Sequence, residues 1–210
     1  MKTVGMIMLV GSLLVACSPQ KKEEKGRQPE MNNVEEAVDR TDSREEFRET
    51  ELTYPGSTVA FKVSVKGNEL LVEPSGLSVS NEAFRHDITG YTVNKAEIGD
   101  LNLDGYPEVF VYLTSHGSGS YGKLIGYSVN NGKSASLVHL PDITEDEAVR
   151  KGYMGHDEMA IVESTFCRRF PVYEEKDSNS QPSGKIRQIQ YKLVDGESGR
   201  MLKIDKVLEF

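Results

Sequence analysis

Three short constellations carry side chains whose types and spacing could do chemistry. The first is Asp100-Leu-Asn-Leu-Asp-Gly-Tyr-Pro-Glu108. Oxygen-bearing side chains at Asp100, Asn102 and Asp104, followed by Gly105, match the first half of a calcium loop. There, alternate residues face one cation and the glycine permits a sharp turn. The complete helix-loop-helix pattern fails, because Val111 stands where a bidentate glutamate is needed, and Glu108 would have to replace it. The same residues also spell an Asx-rich turn whose carboxylates accept backbone amides and launch a strand. That reading is favoured, and a metal site here is a weak candidate.

The second constellation is Ser115-His116-Gly117-Ser118-Gly119-Ser120-Tyr121. Glycines make its backbone adaptable, the hydroxyls donate and accept, and Tyr121 offers a flat ring with a polar end. Such a tip suits insertion into a polar cleft lined by carboxylates. No base is placed to activate Ser118 as a nucleophile. Without a following helix or a P-loop lysine, the segment is not a phosphate loop either. Read from its residues alone it is an ordinary flexible hairpin. The third constellation, Gly152-Tyr-Met-Gly-His-Asp-Glu158, places His156 beside Asp157. That pair could do acid–base work, but a loop histidine bonded locally is commoner. Arg168 and Arg169 are expected to pair with acidic neighbours on adjacent strands.

A fourth chemical signal lies at the start of the chain. An apolar run from Val4 to Ala16 follows Met1-Lys2 and ends in Leu14-Val15-Ala16-Cys17. It is shorter than the roughly 20 residues of a membrane span and has the form of a signal-peptide core. The closing tetrad resembles the bacterial lipobox, in which a small residue fits the peptidase and the following cysteine thiol takes a diacylglycerol. Residues 1–16 are therefore expected to be removed and Cys17 to be lipidated. The acyl chains would hold the protein to a bilayer at about 0.8 kcal/mol per buried methylene. Ser18 at the next position, where an aspartate is absent, resembles the Gram-negative sorting pattern that implies the outer membrane, and it leaves periplasmic and surface-facing orientations open. Residues 17–50 are charged, poor in aromatics and without apolar alternation, as expected of a polar flexible tether.

The composition excludes some partners. A formal net charge of −8 argues against nucleic acid, which selects a concentrated basic face. An acidic protein is instead steered toward basic partners. The chain has two cysteines. If Cys17 carries lipid, Cys167 has no intramolecular disulfide partner and is expected to be a small buried apolar residue. No Cys/His cluster has zinc spacing, and no cofactor is expected.

The elements that must position these residues are mostly strands. Alternating, β-branched segments run through Ser57–Val65, Glu69–Glu73, Pro107–Thr114, Leu124–Val129, Ser134–Leu140, Met159–Tyr173, Ile186–Val194 and Met201–Leu208. Asn131-Gly132 is a primed hairpin turn. One short helix is expected over Glu145–Arg150, with Thr144 as N-cap, Glu147 as its capping-box partner and Gly152 as the stop. Many strands joined by tight turns predict a mainly β domain over residues 51–210. It would be an antiparallel sandwich or flattened barrel with that one short helix.

Taken together, Ile98-Gly-Asp-Leu-Asn-Leu-Asp-Gly-Tyr-Pro-Glu108, Ser118-Gly-Ser-Tyr121, Gly152-Tyr-Met-Gly-His-Asp-Glu158, Arg168-Arg-Phe-Pro-Val-Tyr173 and Arg187-Gln-Ile-Gln-Tyr-Lys-Leu193 carry a resemblance. In order and spacing they resemble the periplasmic inhibitors of invertebrate-type (I-type) lysozyme, from about Tyr54 to the C-terminus. The resemblance implies a β-sandwich, possible homodimers, no catalysis, and a loop with a Ser-Gly-x-Tyr motif that blocks the enzyme's active-site cleft. Here that loop is Ser118-Gly119-Ser120-Tyr121. The lipobox and tether depart from that pattern and bear on location. The competing reading is a calcium-dependent cell-envelope module for glycan or protein, built on Asp100, Asn102 and Asp104.

Overall fold

The computed structural model describes residues 46–210. The expected signal peptide, the expected lipidation site Cys17 and the expected tether up to residue 45 lie outside them. Among the described residues the chain is mainly β. Twelve strands pair antiparallel into three four-stranded sheets, and none closes into a barrel.

The first sheet runs in the order β1 (Glu49–Thr53), β2 (Ala60–Lys66), β3 (Glu69–Ser75) and β4 (Phe84–Asp87). The second joins β5 (Tyr91–Gly99), β6 (Glu108–Ser115), β7 (Gly122–Asn130) and β8 (Ser134–Val138). The third has the order β12 (Arg200–Glu209), β11 (Ile186–Asp195), β10 (Thr165–Pro171) and β9 (Glu158–Val162). Glu49 and Thr50, expected in the tether, belong to β1, and Phe47 packs on the core just before it. The segment Met159–Tyr173 is two strands, because Glu163 takes a φ of 56° and turns the chain back. The primed turn forms as the sequence predicts, with Asn131 and Gly132 both at positive φ and the Lys133 amide donating to the Asn130 carbonyl.

The second sheet is the middle layer. Successive residues of a strand face opposite sides, and β6 is apolar on both. Val109, Val111 and Leu113 enter a core shared with Phe61, Val63, Leu70 and Val72 of the first sheet. Phe110 and Tyr112 enter a second core, with Phe166, Phe170, Ile189, Tyr191 and Leu202 of the third. A strand covered on both faces has no polar side to present, which is why β6 reads as an unbroken apolar run. The sandwich expected from sequence is therefore a three-layer stack.

The middle and third sheets are also pinned along two edges. At one, the Leu202 amide donates to the His139 carbonyl at 2.8 Å and the His139 amide to Arg200 at 2.9 Å. At the other, a Glu97 carboxylate oxygen on β5 accepts from the Ile161 amide of β9 at 2.8 Å and from the Tyr112 hydroxyl at 2.7 Å. Burial opposes charge on Glu97. The bonds from Lys95, Ile161 and Tyr112 outweigh it and hold the carboxyl below its ordinary range.

Short helical turns cover the end of the second core. Asp142 caps a 3-10 turn at Ile143–Glu145, and Asp146 caps α1 (Glu147–Arg150), accepting from the Ala148 and Val149 amides. Thr144 is thus not the cap, and Asp146 interrupts what sequence reads as one helix. Gly152, at a φ of 72°, follows the helix as expected. Arg187 seals the C-terminal end: it donates to the Val149 carbonyl and, at 2.7 Å, to the Lys151 carbonyl, while Glu209 neutralises it.

Candidate functional site

Strand β6 delivers one candidate loop at each of its ends. Asp100–Pro107 precedes it, and His116–Tyr121 links it to β7.

The Asp100 turn spends its oxygens internally. The two Asp100 carboxylate oxygens accept from the Asp104 amide at 3.1 Å and the Gly105 amide at 2.9 Å. Asp104 accepts from the Tyr106 amide at 2.9 Å, from the Asn102 side chain at 2.8 Å and from Arg200 at 3.0 Å. Beneath them Glu108 is fully buried, accepting from the Leu101 amide and the Ser128 hydroxyl, both at 2.8 Å. Burial, with Asp100 and Asp104 nearby, pushes its carboxyl up to about 7 against those two bonds. This is the geometry of an Asx-rich turn. Among the described residues no group of three or more His, Cys, Asp or Glu side chains is placed to hold a metal ion, and the oxygens of Asp100, Asn102 and Asp104 are engaged within the turn and by Arg200.

The hairpin has the opposite construction. Ser118 and Tyr121 are exposed, and the bonds that fix the tip run through its backbone. Across its base, the Ser115 amide donates to the Tyr121 carbonyl at 2.8 Å, and the Tyr121 amide to the Ser115 hydroxyl at 2.9 Å. Two neighbouring loops supply the rest. The His156 amide donates to the Gly119 carbonyl at 2.7 Å, and the Asn179 side-chain amide to the Ser118 carbonyl at 2.7 Å. The Gly122 amide donates to the Asp157 carboxylate at 2.7 Å. Gly155 makes this approach possible, since a Cβ there would sit 2.0 Å from the Gly119 oxygen. The Tyr121 ring folds over Gly119, where a Cβ would lie 2.4 Å from ring carbon Cε2. The tip is therefore a shaped object, its Ser118 and Tyr121 side chains turned to solvent and its main chain secured from behind.

Behind the hairpin lies a buried polar cluster. The Asp157 side chain is wholly inaccessible, and that of Arg168 is 5% exposed. Arg168 Nε donates to Asp157 at 2.6 Å and its Nη2 to the Tyr153 hydroxyl at 2.7 Å, while that hydroxyl donates to the second Asp157 oxygen at 2.6 Å. Burial disfavours the guanidinium charge, but the bond and charge of Asp157 overcome it and raise the Arg168 pKa. Burial likewise raises the Tyr153 hydroxyl. The Tyr153 ring meets Tyr121 edge-on, with centroids 5.7 Å apart.

Some residues singled out in the sequence fall elsewhere. His156 has a φ of 58°, stacks on Tyr173, and buries its Nε2 without a hydrogen-bond partner. With both Asp157 oxygens committed, the two do not make an acid–base pair. Arg168 pairs as expected, with the carboxylate just before β9. Arg169 does not: it bonds Gln188 and lies over the Phe210 ring. Cys167 is buried, and burial raises its thiol pKa. Sequence reasoning missed Tyr153 and Asn179 as supports of the hairpin. No local signal marks either of them, and Asp157 becomes the diagonal neighbour of Arg168 only through the register that sets Arg168 opposite Met159. No family model, curated protein or solved structure matches the chain.

Proposed function

We propose that this protein is a lipid-anchored inhibitor of lysozyme, of the I-type by sequence resemblance, acting by occlusion and without catalysis or cofactor. One observation carries the reading: an exposed hairpin tip presents Ser118 and Tyr121 while five main-chain groups from Ser118 to Gly122 are tied down. A glycoside hydrolase cleft holds two carboxylates flanking the position of the scissile bond. Hydroxyls from Ser118 and Tyr121 would donate to those carboxylates, which are strong acceptors when ionised. The Tyr121 ring would occupy the place of a sugar, as aromatic anchors do at interfaces. Because the tip is ordered beforehand, insertion loses little conformational entropy. Anchorage through Cys17 would station it in the cell envelope, where it protects peptidoglycan, and the net charge of −8 favours encounter with a basic enzyme.

The test is residual cell-wall hydrolysis by I-type, chicken-type and goose-type lysozymes, titrated with the folded protein. Stoichiometric loss of I-type activity, insensitive to added calcium or chelator, is the expected result. No inhibition of any type by the folded protein rejects the reading. A calcium requirement would favour the envelope-binding module instead.

A further inference from the structure

We propose that Asp157 is a positioning residue for the hairpin, acting with Tyr153 and Arg168 to hold Ser118–Tyr121 in its binding conformation. This rests on the inhibitor reading. A buried ion pair is an expensive way to stabilise a core, since well-packed apolar side chains of similar volume usually do as well or better. Here the bonds of the pair lead out of the core to one place.

Asp157 accepts from the amide of Gly122, the residue that follows Tyr121. Through Tyr153 it fixes the ring against which Tyr121 packs edge-on. Its chain neighbour His156 holds the Gly119 carbonyl. Residues 153–157 thus grip the hairpin at three points, and the Asp157 carboxylate orders two of them directly. Arg168 orients that carboxylate by donating to its other oxygen at 2.6 Å. With three donors converging, an amide in its place would turn an NH2 group toward at least one of them.

Asp157→Asn should leave the sheets formed and release the tip into several conformations. Apparent affinity falls by the fraction of molecules still competent to bind. A tip correctly formed about a tenth of the time inhibits about tenfold more weakly. The loss falls on the association rate, because the complex, once formed, has the same contacts.

The experiment compares the full chain in detergent, wild type and Asp157→Asn, by two readouts. Hydrogen exchange read by mass spectrometry over residues 116–123 needs no lysozyme. Binding kinetics to I-type lysozyme separate association from dissociation, with Tyr121→Ala as the control for contact loss. The expected result is exchange at least tenfold faster in the hairpin alone, association about tenfold slower, and dissociation unchanged. Wild-type exchange in the hairpin of Asp157→Asn, or faster dissociation with normal association, overturns the proposal. Should Asp157→Asn lose protection across the sheets, Tyr153→Phe decides: it keeps the ring and removes the hydroxyl bonds. Faster hairpin exchange in that variant supports positioning, and unchanged exchange overturns it. If wild-type protein binds no lysozyme, the inhibitor reading fails on that arm, and the exchange arm still judges whether Asp157 orders the hairpin.

Discussion

The two ends of β6 solve opposite problems with similar residues. At the N-terminal end, Asp100, Asn102 and Asp104 turn their side chains onto their own backbone, and the loop needs almost nothing else. At the C-terminal end, the hairpin is held by hydrogen bonds from neighbouring loops and by its own base, leaving Ser118 and Tyr121 facing water. One turn consumes its polar groups to make structure. The other imports structure so that its polar groups remain free. A side chain rich in hydrogen-bonding capacity is available for recognition only where the fold does not already employ it, and that distinction picks out the hairpin.

The comparison breaks if substitutions at the two ends have the same kind of effect. Tyr121→Ala should have the largest consequence for function: about a hundredfold weaker inhibition, equivalent to about 2.7 kcal/mol, as befits an aromatic anchor. Its thermal unfolding should match wild type, because the ring is half exposed. A lowered melting temperature with unchanged inhibition would reverse the assignment. Asp100→Ala should do the converse. It strands two backbone amides in a partly buried turn and should cost about 2 kcal/mol of stability, measured by urea unfolding. The folded fraction should inhibit as wild type does.

Glu108, below the Asp100 turn, sharpens the same contrast through pH. Burial raises its carboxyl to about 7 from an ordinary 4.5, so the folded chain retains a proton that the unfolded chain has already released. Its contribution to stability is complete below about pH 4.5 and is lost as pH rises through 7. Unfolding free energy should therefore fall by on the order of 2–3 kcal/mol between pH 5 and pH 8 from this group. Glu108→Gln, neutral throughout, should flatten that part of the profile in urea titrations at several pH values. An unchanged slope would mean the buried carboxylate is charged at all these pH values. Inhibition by the folded protein should not follow Glu108, which belongs to the structural end of the strand.

Much of this architecture is legible in sequence because strand periodicity and turn chemistry are local. The Val109–Leu113 run, the Asn131-Gly132 turn and the Ser118–Tyr121 hairpin all rest on neighbouring residues. The third layer was not legible, since an apolar run does not say that its alternate residues enter separate cores. Strand β5 escaped because Asn94, Lys95 and Glu97 interrupt its apolar alternation and its register shifts between Val93 and Lys95. The polar residue at Glu97 turns out to staple one sheet to another. The turn at Glu163-Ser164 has neither glycine nor asparagine to announce it. In the site, the exposed half could be read and the supporting half could not, because Asp157 and Arg168 meet only through the β9–β10 register and Asn179 arrives from a distant loop.

Asn179 offers the smallest and most discriminating test of the contrast. Its side-chain amide donates to the Ser118 carbonyl from the exposed turn that Asp177 staples by accepting from the Glu174 and Ser183 amides. Removing it with Asn179→Ala leaves that carbonyl open to water, so the net loss is that of one solvent-replaceable hydrogen bond, about 0.5–1 kcal/mol. Inhibition should weaken only about threefold, with hairpin exchange accelerated near Ser118 and unchanged at Gly122. Asp157 cannot be replaced by water in this way, because it is sealed in the interior, and its loss should be felt from Gly119 through Gly122. If Asn179→Ala proved as damaging as Asp157→Asn, the exposed flank would secure the hairpin as much as the buried cluster does. The imported structure would then come in equal part from a loop turn outside the core, and the asymmetry between the two ends of β6 would not rest on the buried ion pair alone.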